Sequence, residues 1–191
     1  MKKIFNRIVS KNLLTLVSGT MLSSLLPLVF APILSRIYSP DQFGRLAVYL
    51  SIVSILGTIS NARYELAIVL PKKKIEGIAL TVLSFAITFV FSFILFIVFF
   101  VWGRSISIFL GDEQLYDWIL LVPASVFLLG CFNALNYYNT RLKKYKVIAK
   151  SNVWKSFSGN FNQFIFGFFK LLNEGLILGH FSSLIFGNLG L

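Results

Sequence analysis

The chain has 191 residues, 57% of them hydrophobic and only 13% charged, and a mean hydropathy of +0.80. Soluble domains carry about 25% charged residues, so an ordinary water-soluble fold is excluded and an all-α membrane protein is the expected class. The net charge of +11 is one that nucleic-acid-binding surfaces share, but the basic residues here sort between the two sides of an apolar layer, so no nucleic acid is expected as a partner.

At about 20 residues per span, this length holds roughly five or six helices and leaves no room for a separate soluble domain. Residues 1–191 are therefore read as a single transmembrane domain. Apolar segments at about 13–35, 45–62, 77–101, 118–138, 153–171 and 175–191 are its predicted spans. Lys2, Lys3, Arg7 and Lys11 precede the first, as in a signal peptide. The run from Leu13 to Leu34 is longer than the 7–15 residues of a signal peptide's apolar region and further spans follow, so it is read as uncleaved.

Thr15, Ser18, Gly19, Ser23 and Ser24 give span one a small, polar face suited to helix packing, and Pro27 and Pro32 are expected to kink it. Ser39-Pro40-Asp41-Gln42 reads as a helix start, with Ser39 as cap, Pro40 at the first position and Gln42 reaching back. Arg63 and Glu65 follow span two directly, ahead of the apolar Leu66 to Pro71. Ionisable groups at membrane depth are costly and are usually functional or paired, whereas in an interfacial loop both would be solvated. Lys72, Lys73 and Lys74 suit anionic lipid headgroups.

Gly77 to Val101 contains no Asp, Glu, Lys, Arg or His, and seven phenylalanines occupy the run. One ionised side chain at its centre would cost about 2.5–3.5 kcal/mol, so it is the clearest span. Asp112, Glu113 and Asp117 read as a solvated helix start, and Pro123 as a kink in span four. Asn133, Asn136 and Asn139, with Tyr137 and Tyr138, form an amide and phenol cluster near the inner boundary that would suit carbohydrate hydroxyls. The lone Cys131 lies in an apolar run and reads as a packing residue.

Span five carries the most information. Asn152, Lys155, Ser156, Gly159, Asn162, Gln163 and Gly167 recur at three- and four-residue steps, so they share one helix face. Val153, Trp154, Phe157, Phe161, Phe164, Ile165 and Phe168 take the other, suited to lipid or packing. Polar side chains at depth need water, a partner helix or a ligand, so the face is expected to line a wet cavity. The competing readings are plain helix packing and, for Lys155, snorkelling to the cytoplasmic surface. His180 is expected as a polar packing residue. With no metal, nucleophile or phosphate-loop motif, no catalytic residue, metal or cofactor is expected, and the chain is not read as an enzyme.

Charge fixes the expected orientation. Lys2, Lys3, Arg7, Lys11, Arg63, Lys72, Lys73, Lys74, Arg141, Lys143, Lys144, Lys146, Lys150 and Lys155 fall on one side, and only Arg36, Arg45, Arg104 and Lys170 on the other. Both termini are thus expected in the cytoplasm.

Several of these residues also carry a family resemblance. Ile37-Tyr38-Ser39-Pro40 with Phe43-Gly44, and Arg63-Tyr64-Glu65 with Ala67-Ile68 and Leu70-Pro71, resemble the N-terminal half of the Wzx-type oligosaccharide flippases. Asn139-Thr140-Arg141, Tyr145, Ile148-Ala149, Ser151-Asn152-Val153 and Lys155-Ser156 continue the likeness. Gln163, Gly167, Gly175-Leu176-Ile177 and Gly179 complete it, over roughly residues 10–180 of the chain. The resemblance implies the multidrug/oligosaccharidyl-lipid/polysaccharide exporter superfamily, whose fold has two lobes of about six helices around a central cavity. This chain corresponds to one lobe. The implied activity is alternating-access translocation of an undecaprenyl-pyrophosphate-linked repeat unit across the bacterial inner membrane, for O-antigen, capsule or exopolysaccharide. Arg63 is the matched cation and Glu65 its companion. Asn152, Lys155, Asn162 and Gln163 belong to span five and are taken as substrate-binding candidates from their stripe. Implied partners are the lipid-linked oligosaccharide, membrane lipids, and a second lobe or a polysaccharide polymerase. Family members continue into that second lobe where this chain stops at Leu191, so it is read as either a truncated product or one half of a pair. The other functions considered are a multidrug or cation antiporter of the same superfamily and a non-transporting partner lobe.

Overall fold

The computed structural model describes residues 2–169 and 175–191, with side chains from residue 14 onward except at 113. Lys170, the end of predicted span five, and the side chains of Lys2, Lys3, Arg7 and Lys11 lie outside the described residues. Those described form an all-helical protein: α1 (Lys2–Ile37), α2 (Pro40–Ile59), α3 (Tyr64–Ala67), α4 (Lys74–Phe109), α5 (Tyr116–Ile119), α6 (Leu121–Arg141), α7 (Tyr145–Phe168) and α8 (Gly175–Leu189). Four stretches are long and apolar enough to cross a membrane: Leu14–Ile37, Pro40–Ile59, Lys74–Phe109 and Tyr116–Arg141. Of the two remaining predicted spans, α7 has 24 residues but a polar face. Helix α8, with 15, is about 22 Å long against a hydrocarbon core of about 30 Å.

Helix boundaries follow local chemistry. Ser39 caps α2 through a capping box: its Oγ accepts from Gln42 N, and its own N–H donates to Gln42 Oε1 at 2.9 Å. The helix therefore begins at Pro40, five residues before the predicted span. Helices α4 and α6 end in the same way. The residue after each cap is left-handed, Gly111 at φ 82° and Lys143 at φ 57°, and the next N–H reaches back five residues, Asp112 to Ser107 and Lys144 to Asn139. Pro123 marks the break between α5 and α6. It has no N–H to give the carbonyl of Ile119, the last residue of α5, so the expected interruption falls at Leu120.

Small residues set the packing. Gly77, Thr81, Ser84, Thr88, Ser92, Gly103 and Ser107, with Phe99, are the buried residues of α4, on the side of α5 and α6, while Phe89, Phe93, Phe96 and Phe100 are exposed. With no hydrophobic drive between helices in lipid, close van der Waals contact at small residues holds them together. A Cβ on Gly130 of α6 would stand 2.5 Å from Thr88 Cγ2, so only glycine permits this approach. Tyr49, Val53, Phe99, Ile119, Val122, Val126 and Ile177 form the main apolar cluster where α2, α4, α6 and α8 meet.

The α2–α3 turn is unusual in placing two non-glycine residues, Ala62 and Arg63, at positive φ. Buried Asn61 secures it, donating to Gly130 O at 3.0 Å and accepting from the Thr88 hydroxyl. Arg141 ties the next loop down, donating to the carbonyls of Pro71 (2.8 Å) and Lys73 (2.6 Å). At the opposite end, Arg45 is not a free solvated charge: it pairs with Asp112 at 3.8 Å and bonds Gln114, joining α2 to the loop after α4.

Both expected prolines lie inside α1. Pro27 cannot donate to the carbonyl of Ser23, and the hydroxyl of Ser156 on α7 donates to that carbonyl instead, at 2.6 Å. The proline thus creates a bond between helices. Ser156→Ala should lower the melting temperature of the purified protein in detergent, by an amount that reflects about 0.5–1.5 kcal/mol for the loss of one part-buried hydrogen bond. In a Pro27→Ala background, where residue 27 regains its N–H, the same change should cost clearly less, and equal costs would overturn the pairing.

Candidate functional site

Helix α7 is packed on two sides, against α1 and α8, and this determines where its polar residues face. Gly19 of α1 meets Ala149, and Ser23 meets Ser156 further along, so α1 and α7 run in the same direction. Ser151 bonds Gly187 O, and Gln163 bonds Leu176 O, so α8 runs back against α7. Gly159 approaches α8 so closely that a Cβ would lie 2.7 Å from Ser183 Cβ.

Between α1, α2, α7 and α8 this leaves a cleft of about 590 Å³. Asn152, Lys155, Ser156, Gly159, Asn160 and Gln163 form its α7 wall. Thr20, Ser23, Pro27, Ala31 and Leu34 come from α1, Phe43 and Leu46 from α2, and His180 and Ser183 from α8. At the end away from the basic loops, Leu34, Tyr38 and Leu176 pack with Phe30, Phe43 and Phe164 and fill the space. Tyr38 Oη donates to the carbonyl of Gln163 at 2.7 Å across this plug. Phe164, on the face expected to meet lipid or to pack, packs here against α1 and α8.

Lys155 and His180 are the titratable residues of the cleft wall. Both also line a second cavity of about 280 Å³ between α2, α6 and α8, with Ser51, Ser54 and Leu129. They stand where the two spaces meet. The stem of Lys155 lies over Gly187, whose Cβ would come within 3.1 Å of its Cγ and Cδ, and its Nζ sits 4.2 Å from the centroid of the Phe132 ring. The ammonium is therefore directed across the bundle towards α6 and held over an aromatic face. His180 packs edge-on against Tyr49, with centroids 6.1 Å apart, and its buried Nδ1 has no hydrogen-bond partner. Tyr49 in turn shares a 2.5 Å hydrogen bond with Ser125.

The sequence candidates divide between two places. Asn152, Lys155 and Gln163 come together on the cleft wall, and the Asn152 amide makes no hydrogen bond within the described residues. Asn162 lies one step round the helix and donates to Ser182 Oγ of α8 at 2.8 Å, so it does not line the cleft. Arg63 ends the turn after α2 and Glu65 lies in α3, both apart from the cleft wall. Arg63 is exposed. Glu65 is 5% exposed, and its Oε2 lacks a hydrogen-bond partner. The two do not form an ion pair. Of the amide cluster on α6, Asn139 is used structurally, donating to Leu135 O and to Leu191 O.

Sequence reading missed His180, Asn160 and Ser183 as wall residues. A signal was present: Gly175, Gly179, Ser183 and Gly187 recur every four residues and mark the face of α8 that lies against α7, with His180 at its margin.

The class defined by these features is a polytopic α-helical membrane protein with a cleft inside its bundle, largely apolar but carrying amides and one lysine on its α7 wall. A family model described as polysaccharide biosynthesis protein matches residues 33–187, and the chain belongs to that family. No curated protein and no solved structure matches it.

A wet cleft has a chemical signature. In a Cys131→Ser background, Lys155→Cys should react with a membrane-impermeant maleimide about tenfold or more faster than Phe157→Cys, because thiolate forms in water and not in lipid. Equal rates would show the cleft to be dry.

Proposed function

We propose that this member of the polysaccharide biosynthesis family is a flippase, moving an undecaprenyl-pyrophosphate-linked oligosaccharide across the bacterial inner membrane by alternating access. The carrying observation is Lys155, a cation inside the bundle where two cavities meet, beside the amides of Asn152, Asn160 and Gln163. An ammonium in a medium of reduced dielectric attracts a pyrophosphate strongly, and amides exchange hydrogen bonds with sugar hydroxyls. The wall residues thus fit the anionic and the polyhydroxylic parts of one molecule. A cation antiporter would instead need carboxylates in the cleft wall, where the titratable residues are Lys155 and His180.

In this reading α7 and α8 also cross the membrane, giving six spans with both termini and the Lys-rich loops in the cytoplasm, following the positive-inside rule. The cargo enters from the basic end, where Arg63 and Lys72 to Lys74 attract the anionic headgroup, and passes to Lys155. Glu65 would balance Arg63. Asn162 would support the α7–α8 contact behind the wall. A second bundle of the same kind, supplied as another lobe, completes the enclosure and provides the partner motion that alternating access requires.

Binding tests this directly. With the protein in nanodiscs, undecaprenyl-pyrophosphate oligosaccharide should bind, and Lys155→Ala should weaken binding about 10- to 150-fold, the loss of one charged hydrogen bond of about 1.5–3 kcal/mol. Lys155→Arg should restore most of it. Arg63→Ala should cost less, because its charge is exposed and screened. Affinity unchanged in Lys155→Ala would overturn the cleft as the headgroup site.

A further inference from the structure

The outward face of α7 carries a feature that the cleft does not use. Lys150 and Trp154 stand one turn apart and form a ridge between two grooves. The groove towards α1, about 360 Å³, is walled by Leu22 and Val153 among others; that towards α8, about 430 Å³, by Phe186 and Leu189. Lys150 and Trp154 belong to both.

Each part of the ridge has a plain chemical bias. Lys150 is exposed, makes no ion pair among the described residues, and follows Lys143, Lys144 and Lys146 at the basic end of the bundle. Cationic side chains at that level attract anionic headgroups. Trp154 is 49% exposed and stacks on Phe157, which stacks on Phe161, so aromatic surface continues from the cation down into the bilayer. Indole rings favour the headgroup and glycerol level.

We propose that this ridge binds one anionic diacyl phospholipid, with its phosphate on the Lys150 ammonium and one acyl chain in each groove. Two grooves with apolar walls that share a single cation match one headgroup with two chains; a single-chain polyprenyl phosphate would occupy only one of them. The site lies on the lipid face of α7 and is separate from the cleft, so it does not rest on the transport reading.

The test is native mass spectrometry of the purified chain with phosphatidylglycerol or phosphatidylcholine. Wild type should retain one phosphatidylglycerol in preference to phosphatidylcholine, and Lys150→Ala should weaken retention about tenfold. Lys146→Ala removes the same charge from an exposed position of the same helix that lines neither groove, and should leave retention within about twofold. Equal losses in both variants would indicate a diffuse basic surface and overturn the proposal. So would equal retention of the two lipids, or full displacement by one equivalent of polyprenyl phosphate. A second readout needs no lysine variant. With Trp102→Phe and Trp118→Phe, Trp154 is the remaining indole, and phosphatidylglycerol brominated on its chains should quench it at lower mole fraction than brominated phosphatidylcholine. Identical quenching curves would also overturn the site.

Discussion

The close approach of α7 and α8 sets the geometry of the cleft. Gly159, Gly179 and Gly187 remove the side chains that would hold the helices apart, and the space is taken by Ser183, the Gln163 stem and the Lys155 stem. Lys155 consequently lies across its neighbour and ends over Phe132 on α6. In a bilayer, where lipid offers no hydrogen bonds, such contacts also decide which polar groups are satisfied. Asn162, Ser151 and Gln163 find partners on α8. Asn152 lines the cleft without such a partner, and Lys155 lines both the cleft and the second cavity.

The same accounting explains the prolines. A proline in a lipid-embedded helix leaves a carbonyl without its intrahelical donor, and such a carbonyl must be met by another group. At Pro27 that group is Ser156, so a local defect in α1 becomes a tie to α7 at the level of the cleft. At Pro123 the outcome differs, because the residue stands in the first turn of α6 and the chain breaks at Leu120 instead. Proline in a span therefore bends, links or interrupts a helix according to what lies opposite.

Much of this was legible in the sequence, for identifiable reasons. Absence of charge from Gly77 to Val101, the Ser39 capping signal and the three-and-four-residue stripe of α7 are local patterns, and the all-helical class, the start of α2 and the shared wall of Asn152, Lys155 and Gln163 follow from them. Asn162 was grouped with that wall because a stripe read at helical spacing has a width, and only the position of α8 decides that Asn162 lies at its edge. Arg63 and Glu65 are taken together from the Arg63-Tyr64-Glu65 motif of the resemblance. Arg63 is exposed and Glu65 buried, and the turn that places them is held by Asn61 bonding to α4 and α6, one contact spanning 69 residues that no local pattern encodes. His180 is expected as a polar packing residue; it does pack on Tyr49, and only the approach of α8 to α7, marked by its four-residue glycine and serine spacing, also brings it to the cleft wall.

The length of α4 has a consequence for the surrounding bilayer. Its uncharged stretch, Gly77 to Val101, is about 37 Å along the helix axis, against a hydrocarbon core of about 30 Å. The excess must be absorbed by tilt or by local thickening of the lipid, at fractions of a kcal/mol per Å. Because Gly77 sits against Arg141 and Thr88 against Gly130 of α6, and Gly103 against Ile119 of α5, α4 is joined along nearly its whole length to the antiparallel segment that α5 and α6 make. Whatever tilt absorbs the excess is therefore shared by α4 and the segment packed along it, so the cost of mismatch falls on the bundle and not on α4 alone.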